Sequence, residues 1–292
     1  MRDFSQDHRW LSINTATVRK QRGQDWPLLQ ILDACAALGI GAISPWRDQV
    51  QAAGLTETSR AVKAHGLQLS GYCRGGMFTH SDAGGRQAAR DDNRHALDEA
   101  CELDAACLVL VVGGLPGALA GKPAHKDLAG ARRQVSDGIA ELLVDARERG
   151  MKLAIEPLHP MYAADRACIN TMEQALDVCD ALDPQRSGAI GVAVDVYHVW
   201  WDPKLQAQIE RAGRERLHAF HVCDWLLPTT DLLNDRGMMG DGVIDIAIIR
   251  GWVEAQGFAG YSEVEIFSTG NWWQRDGAEV LDTCIERHRR CV

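Results

Sequence analysis

Four short segments in the second half of the chain each end an apolar, β-branched run on a residue that binds hard divalent cations. They are Glu156 in LAIEP, Asp195 in VAVDVYH, His221 in HAFHVCD and Glu265 in SEVEIF. Runs of this composition predict strands, and helical sequence separates the first two and the last two, as successive strand–helix units require. Any one of these residues alone reads as an ordinary strand-end acid or histidine. Together they supply three carboxylates and one imidazole from four strand ends. An acid that follows three apolar residues either faces water or needs a cationic partner, and a metal ion is such a partner. A divalent-metal site is therefore expected.

That donor set has a definite chemistry. A divalent ion chelating the carbonyl and neighbouring hydroxyl of an α-hydroxy ketone or aldehyde stabilises the enediolate left when a C–H proton departs. Glu156 and Glu265, on opposite sides of the ion, are the candidate catalytic base and acid. Returning the proton to the opposite face gives epimerisation, returning it to the adjacent carbon gives isomerisation, and expelling a β-hydroxyl gives dehydration. The ligands alone do not separate these outcomes.

Other residues fall near the same strand ends. Arg47 in ISPWRD, with Trp46 beside it, and Arg74 in CRGGMF are donor forks for substrate oxygens, carboxylate or phosphate, or else bridges between loop carbonyls. His159, Asp224 and Trp225 complete the candidate substrate-binding set, and Cys223 lies between His221 and Asp224. Tryptophans at 200–201, 225 and 272–273 offer flat faces on which a sugar packs, and at least one is expected to line the pocket. The segment LLPTTDLLNDRGMMGDG, 226–242, is long for a strand-to-helix loop, so a lid or a subunit contact is expected of it. Asp235, Arg236 and the Met238–Met239 pair are within its reach of the site.

The elements that must position these residues are eight candidate strands, at 11–14, 41–44, 67–73, 107–112, 152–156, 190–195, 217–222 and 261–267. Amphipathic stretches separate them, among them 26–39, 58–66, 94–104, 134–150, 171–182, 203–213 and 244–257, and another, 278–290, follows the last strand. With no Pro/Ser-rich linker, this alternation predicts an α/β fold, a single-domain (β/α)8 TIM barrel over 1–292, with a doubly wound sheet as the alternative. In such barrels function gathers at the C-terminal ends of the strands, where all four candidate ligands would stand.

Composition excludes several classes. The 292 residues are 46% hydrophobic and 24% charged, and 31 Lys and Arg against 40 Asp and Glu give a net charge of −9. Without a basic run, that balance disfavours nucleic acid as a partner. No apolar stretch approaches membrane-spanning length, and MRDFSQDHRW is too charged for a signal-peptide core, so no membrane partner and a cytoplasmic location are expected. The nine cysteines include no CxxC pair and read as reduced thiols. GIGAIS precedes a strand and lacks the third glycine of a dinucleotide loop, and the phosphate-loop and serine-hydrolase motifs are missing. A small-molecule carbohydrate substrate and a homo-oligomeric assembly complete the expectations.

The order of Glu in IEP, Asp with His198 three residues later in DVYH, His in HVCD and Glu in VEI resembles the xylose-isomerase-like superfamily. That group includes sugar isomerases, ketose 3-epimerases, hydroxypyruvate isomerases, inosose dehydratases and the endonuclease IV branch. GDGVID at 240–245 looks like the turn used there before the seventh helix. The resemblance implies that Glu156, Asp195, His221 and Glu265 coordinate one divalent ion, with Mn²⁺ preferred and Mg²⁺ or Co²⁺ possible, and that His198 contacts substrate oxygens. It implies a sugar isomerase or epimerase, with an inosose-dehydratase-like lyase next, then an endonuclease; a metal-free binding barrel is the remaining reading. The chain departs from the ketose 3-epimerases at Tyr162, where they carry a second glutamate, and at Leu227, where they place an arginine.

Overall fold

A computed structural model describes residues 1–292. One parallel sheet runs through Leu11–Asn14, Ala42–Ser44, Gln68–Leu69, Tyr72–Gly76, Leu108–Val111, Leu153–Ile155, Ile190–Asp195, Leu217–Val222 and Ser262–Val264. Its order begins on Gln68–Leu69 and ends on Tyr72–Gly76. Those two are consecutive in the chain, so the sheet curls into a TIM barrel of eight staves with the third in two pieces. Leu11–Asn14 joins the last strand to the second: Ile13 pairs with Val264 on one side and Ile43 on the other. A doubly wound sheet would leave two distant open edges.

Several boundaries differ from the sequence pattern, among them the helix expected at 134–150, which is Leu128–Arg149, and the last strand, which is Ser262–Val264. The third strand breaks at Ser70–Gly71, where the Ser70 hydroxyl turns inward to Glu263 (2.8 Å), and resumes as far as Gly76. The helix expected at 94–104 is Ala83–Glu102, capped by Asp82 through the amide of Gly85. Its first half is mostly exposed and polar, so buried residues begin only at Asn93.

A core of 71 buried residues fills the space between staves and helices. Inside the barrel lies a separate layer of small side chains, among them Ala154, Ala193 and Ala219. Asp224–Trp225, just before the 226–242 segment, pairs antiparallel to Arg236–Gly237 within it, and the segment is fixed over the barrel mouth. Tyr162 and Tyr197 both donate their hydroxyls to the carbonyl of Leu232. No helix is long and apolar enough to cross a membrane.

Candidate metal centre

Side chains on a strand alternate between faces, so residues two apart share one. Ala154, Ala193 and Ala219 face the barrel interior. Glu156, Asp195 and His221 therefore stand one layer above them at the C-terminal rim. Small side chains below leave room for polar ones above. The eighth strand breaks the pattern, with Glu263 under Glu265. Register brings the ligands together, since His221 is the direct partner of Asp195 on one side and of Glu263 on the other.

Glu156, Asp195, His221 and Glu265 are all buried, and one donor atom from each lies within 4.8 Å of the others. Nδ1 of His221 is 2.9 Å from Oε1 of Glu156 and 3.7 Å from Oε2 of Glu265. Its Nε2 points down to Oε1 of Glu263 at 3.4 Å and has no hydrogen-bond partner. Glu263 is itself fixed by Asn14 Nδ2 and Ser70 Oγ, each at 2.8 Å. A carboxylate behind the imidazole is the arrangement that keeps a proton on the rear nitrogen and a lone pair on the front one.

The electrostatics fit a cation. Four buried carboxylates face one guanidinium, Arg236, and one imidazole, a surplus of negative charge that is costly away from water. Burial pushes the Asp195 carboxyl up to about 8 despite Arg236 beside it. Burial likewise raises Glu156. Glu265 goes the other way: burial opposes its charge, but His221 and Arg236 hold it at about 2. His221 is held well above its ordinary value, with Glu263 and Glu156 outweighing burial. An oxygen-rich set with one imidazole, in surplus negative charge, suits a divalent ion.

Arg236 is the residue that spacing from His221 misses. Leu227, at the relatives' arginine position, is exposed, whereas Arg236 arrives from the far end of the loop. Its Nη1 donates to Asp195 Oδ2 (3.1 Å) and Glu265 Oε2 (3.2 Å), and its guanidinium lies between the rings of Tyr197 and Phe267. Nη2 is 3.1 Å from Nε2 of His198. The amide of His159 lies 3.2 Å from Nδ1 of the same ring, so a donor faces each of its nitrogens. Burial, reinforced by Arg236, pushes His198 well below its ordinary value and keeps it neutral.

A cavity of about 520 Å³, counting its open mouth, lies above the cluster. Glu156, Glu265, His198, Arg74 and Arg236 line it, with Trp46 and Tyr162 among the apolar walls. Other expected residues are directed elsewhere. Arg47 opens a helix, Arg47–Ala53, and its guanidinium turns away to Asp92 (2.8 Å) and Glu99 (2.6 Å). Asp224 accepts from the amides of Gly240, Gly242 and Ile244, so its carboxylate fastens the loop and does not face the cavity. His159 and Trp225 pack on each other, with Tyr197 and Trp200 also against Trp225, outside the cavity wall. The clustered tryptophans line none of it, and Trp46 is the one that does. Cys223 is buried and absent from the wall, while Cys73 is part of it.

A family model described as xylose isomerase-like TIM barrel matches residues 32–284. Among solved structures, protein SMc04130 from Sinorhizobium meliloti 1021 is 57% identical, with 97% of this chain and 98% of that chain covered and a TM-score of 0.90. More distant folds include the IolI protein with a binding zinc atom (19% identity, 95% of each chain, TM-score 0.77). Another is 3-keto-D-glucoside 4-epimerase from E. coli (17% identity, 97% and 99%, TM-score 0.73). No curated protein matches the sequence. With a closed barrel, a buried acidic and histidine cluster at its C-terminal rim and a family match over most of its length, the chain belongs to the xylose isomerase-like TIM barrel family.

Proposed function

We propose that this chain is a divalent-metal-dependent isomerase or epimerase of a small polyhydroxylated carbonyl compound. One observation carries the reading: four hard donors converge within 4.8 Å at the barrel mouth, and two of them, Glu156 and Glu265, also line the cavity where a substrate would sit. Glu156, Asp195, His221 and Glu265 would hold the ion, with Mn²⁺ the first choice and Mg²⁺ or Co²⁺ the alternatives. When bound, the ion stabilises negative charge on a substrate oxygen.

The side chains do the remainder. Glu156 and Glu265 rise from different staves, so one removes the proton beside the carbonyl and the other returns it. His198, neutral and on the cavity wall, contacts a substrate oxygen. His221 and Arg236 hold Glu265 ionised, and the loop brings Leu233 and Arg236 to the cavity wall. The epimerase among the distant folds supports the same class of reaction.

The test is to incubate Mn²⁺-loaded protein in D₂O with ketoses, keto-sugars and inososes and to follow deuterium uptake by NMR. Exchange beside a carbonyl with an epimer or isomer appearing is expected. In Glu156→Gln or Glu265→Gln, turnover should fall about 10²- to 10⁴-fold, and one of the two should still exchange without inverting. A dehydrated product would assign a lyase instead. Failure of the metal-loaded protein to exchange any compound overturns the reading.

A further inference from the structure

The cavity above the ligand cluster is lined by three arginines, and only Arg236 has partners. The guanidinium groups of Arg74 and Arg166 make no hydrogen bond and no ion pair. Their contacts are ring faces: Arg74 lies 5.9 Å from the centre of Trp46, and Arg166 lies 5.9 Å from that of Tyr162. Nearby arginines outside this wall are all matched, Arg19 with Asp48 and Arg47 with Asp92 and Glu99. Burial depresses the Arg74 guanidinium from its usual value, and the charge of Arg166 adds to the effect. Two like charges facing one cavity, each without an acidic or carbonyl partner in the protein, are relieved by an anion placed between them.

The two glutamates on the same wall set the orientation. Glu156 and Glu265 repel an anion, so a charged substrate presents its neutral carbonyl end to them and its charged end to the arginines. Arg74, Trp46 and Met77 also border an open cleft of about 920 Å³, which sets the charged end toward the cavity's outer side.

Resting on the isomerase reading above, we propose that Arg74 and Arg166 form an anion clamp and that the substrate is an anionic polyhydroxylated carbonyl compound, a sugar acid or a sugar phosphate. Arg74 supplies one donor fork and Arg166 the other, and a neutral sugar leaves both charges without a counter-ion.

Calorimetry on the metal-loaded protein tests this with three probes that share a six-carbon polyol chain and are not turned over: D-gluconate, D-glucitol 6-phosphate and neutral D-glucitol. At least one charged probe should bind about tenfold or more tighter than D-glucitol, since each charge-assisted contact is worth that much. The tighter of the two names the anion. Arg74→Met and Arg166→Met should each reduce the preference by about tenfold, Arg74→Lys and Arg166→Lys should keep part of it, and Arg214→Met, outside the cavity, should leave it unchanged. Equal binding of all three probes overturns the clamp. So does an unchanged preference in both methionine variants that retain the wild-type circular dichroism and metal content. Because the probes do not react, the two readings fail separately. Anion preference without C–H exchange in any compound overturns the isomerase alone, and exchange of neutral ketoses without anion preference overturns the clamp alone.

Discussion

Glu263 does not bind at the rim, yet it decides how His221 presents itself. Its carboxylate stands 3.4 Å behind Nε2 while Nδ1 faces Glu156 and Glu265. Removing a front ligand and removing this support should therefore differ in degree. We expect about one divalent ion per chain in the purified protein. Asp195→Asn or His221→Ala should largely abolish that binding, whereas Glu263→Gln should weaken it about 10- to 100-fold, as loss of an orienting partner does. Calorimetric titration of the metal-free proteins measures all three, and full occupancy in the first two would remove them from the ligand set. His198 stands apart again: its ring is neutral and tied to Arg236 and the His159 amide. His198→Ala should keep the ion and lose turnover, and metal loss in that variant would move the residue among the ligands. The four rim residues were legible because strand ends announce themselves by composition. Glu263 was missed, although alternation puts any residue two before Glu265 on the same face and could have found it.

At the scale of the element, the 226–242 loop separates what position along the chain conveys from what it conceals. Arg47, Asp224 and Trp225 all follow strand ends, and proximity to the mouth made them candidates. Direction is set by tertiary partners that composition does not carry: an acidic helix face for Arg47, three loop amides for Asp224, an aromatic stack for Trp225. Arg236 was within reach by its place on the loop, but its pairing with Asp195 and Glu265 does not follow from any fixed count after His221. Gly242 shows how closely the loop is drawn onto its strand, since a Cβ there would meet the carbonyl oxygen of Trp225 at 2.1 Å. Asp224→Ala should thus leave four amides, those of Gly240, Gly242, Ile244 and Trp225, without their acceptor and lower the unfolding free energy by about 3 kcal/mol. Metal content should persist, because no ligand lies on the loop, while hydrogen exchange across 226–242 should accelerate. Unchanged exchange there would show that other contacts, such as those of Tyr162 and Tyr197 to Leu232, suffice to hold the loop.

For the whole molecule, the barrel was legible because eight alternations of strand and helix leave few ways to bury so many apolar faces, and closure satisfies every strand edge at once. The far side of the molecule was not, because it depends on chain ends meeting. Arg250 on the helix Ile246–Ala255 donates to the carbonyls of Arg2 and Val292, and Phe4 stacks at 4.5 Å on His288 of the last helix, Gly277–Cys291. His288 is fully buried, and neither ring nitrogen has a partner. Burial, reinforced by Arg250, pushes it down to about 3. A histidine with its folded value below its unfolded one takes up a proton more readily when unfolded. Its contribution is therefore complete above about pH 6.5 and is lost as the pH falls from there toward 3. Between pH 7 and pH 5 this one residue should lower stability by about 2 kcal/mol. Urea unfolding of the wild type and of His288→Phe, which keeps the stack on Phe4 but has no proton to gain, measures the difference. The wild type should lose about 2 kcal/mol more than the variant over that interval, through linkage at this site alone. Equal losses in the two proteins would trace the acid sensitivity to other groups and leave His288 as packing only.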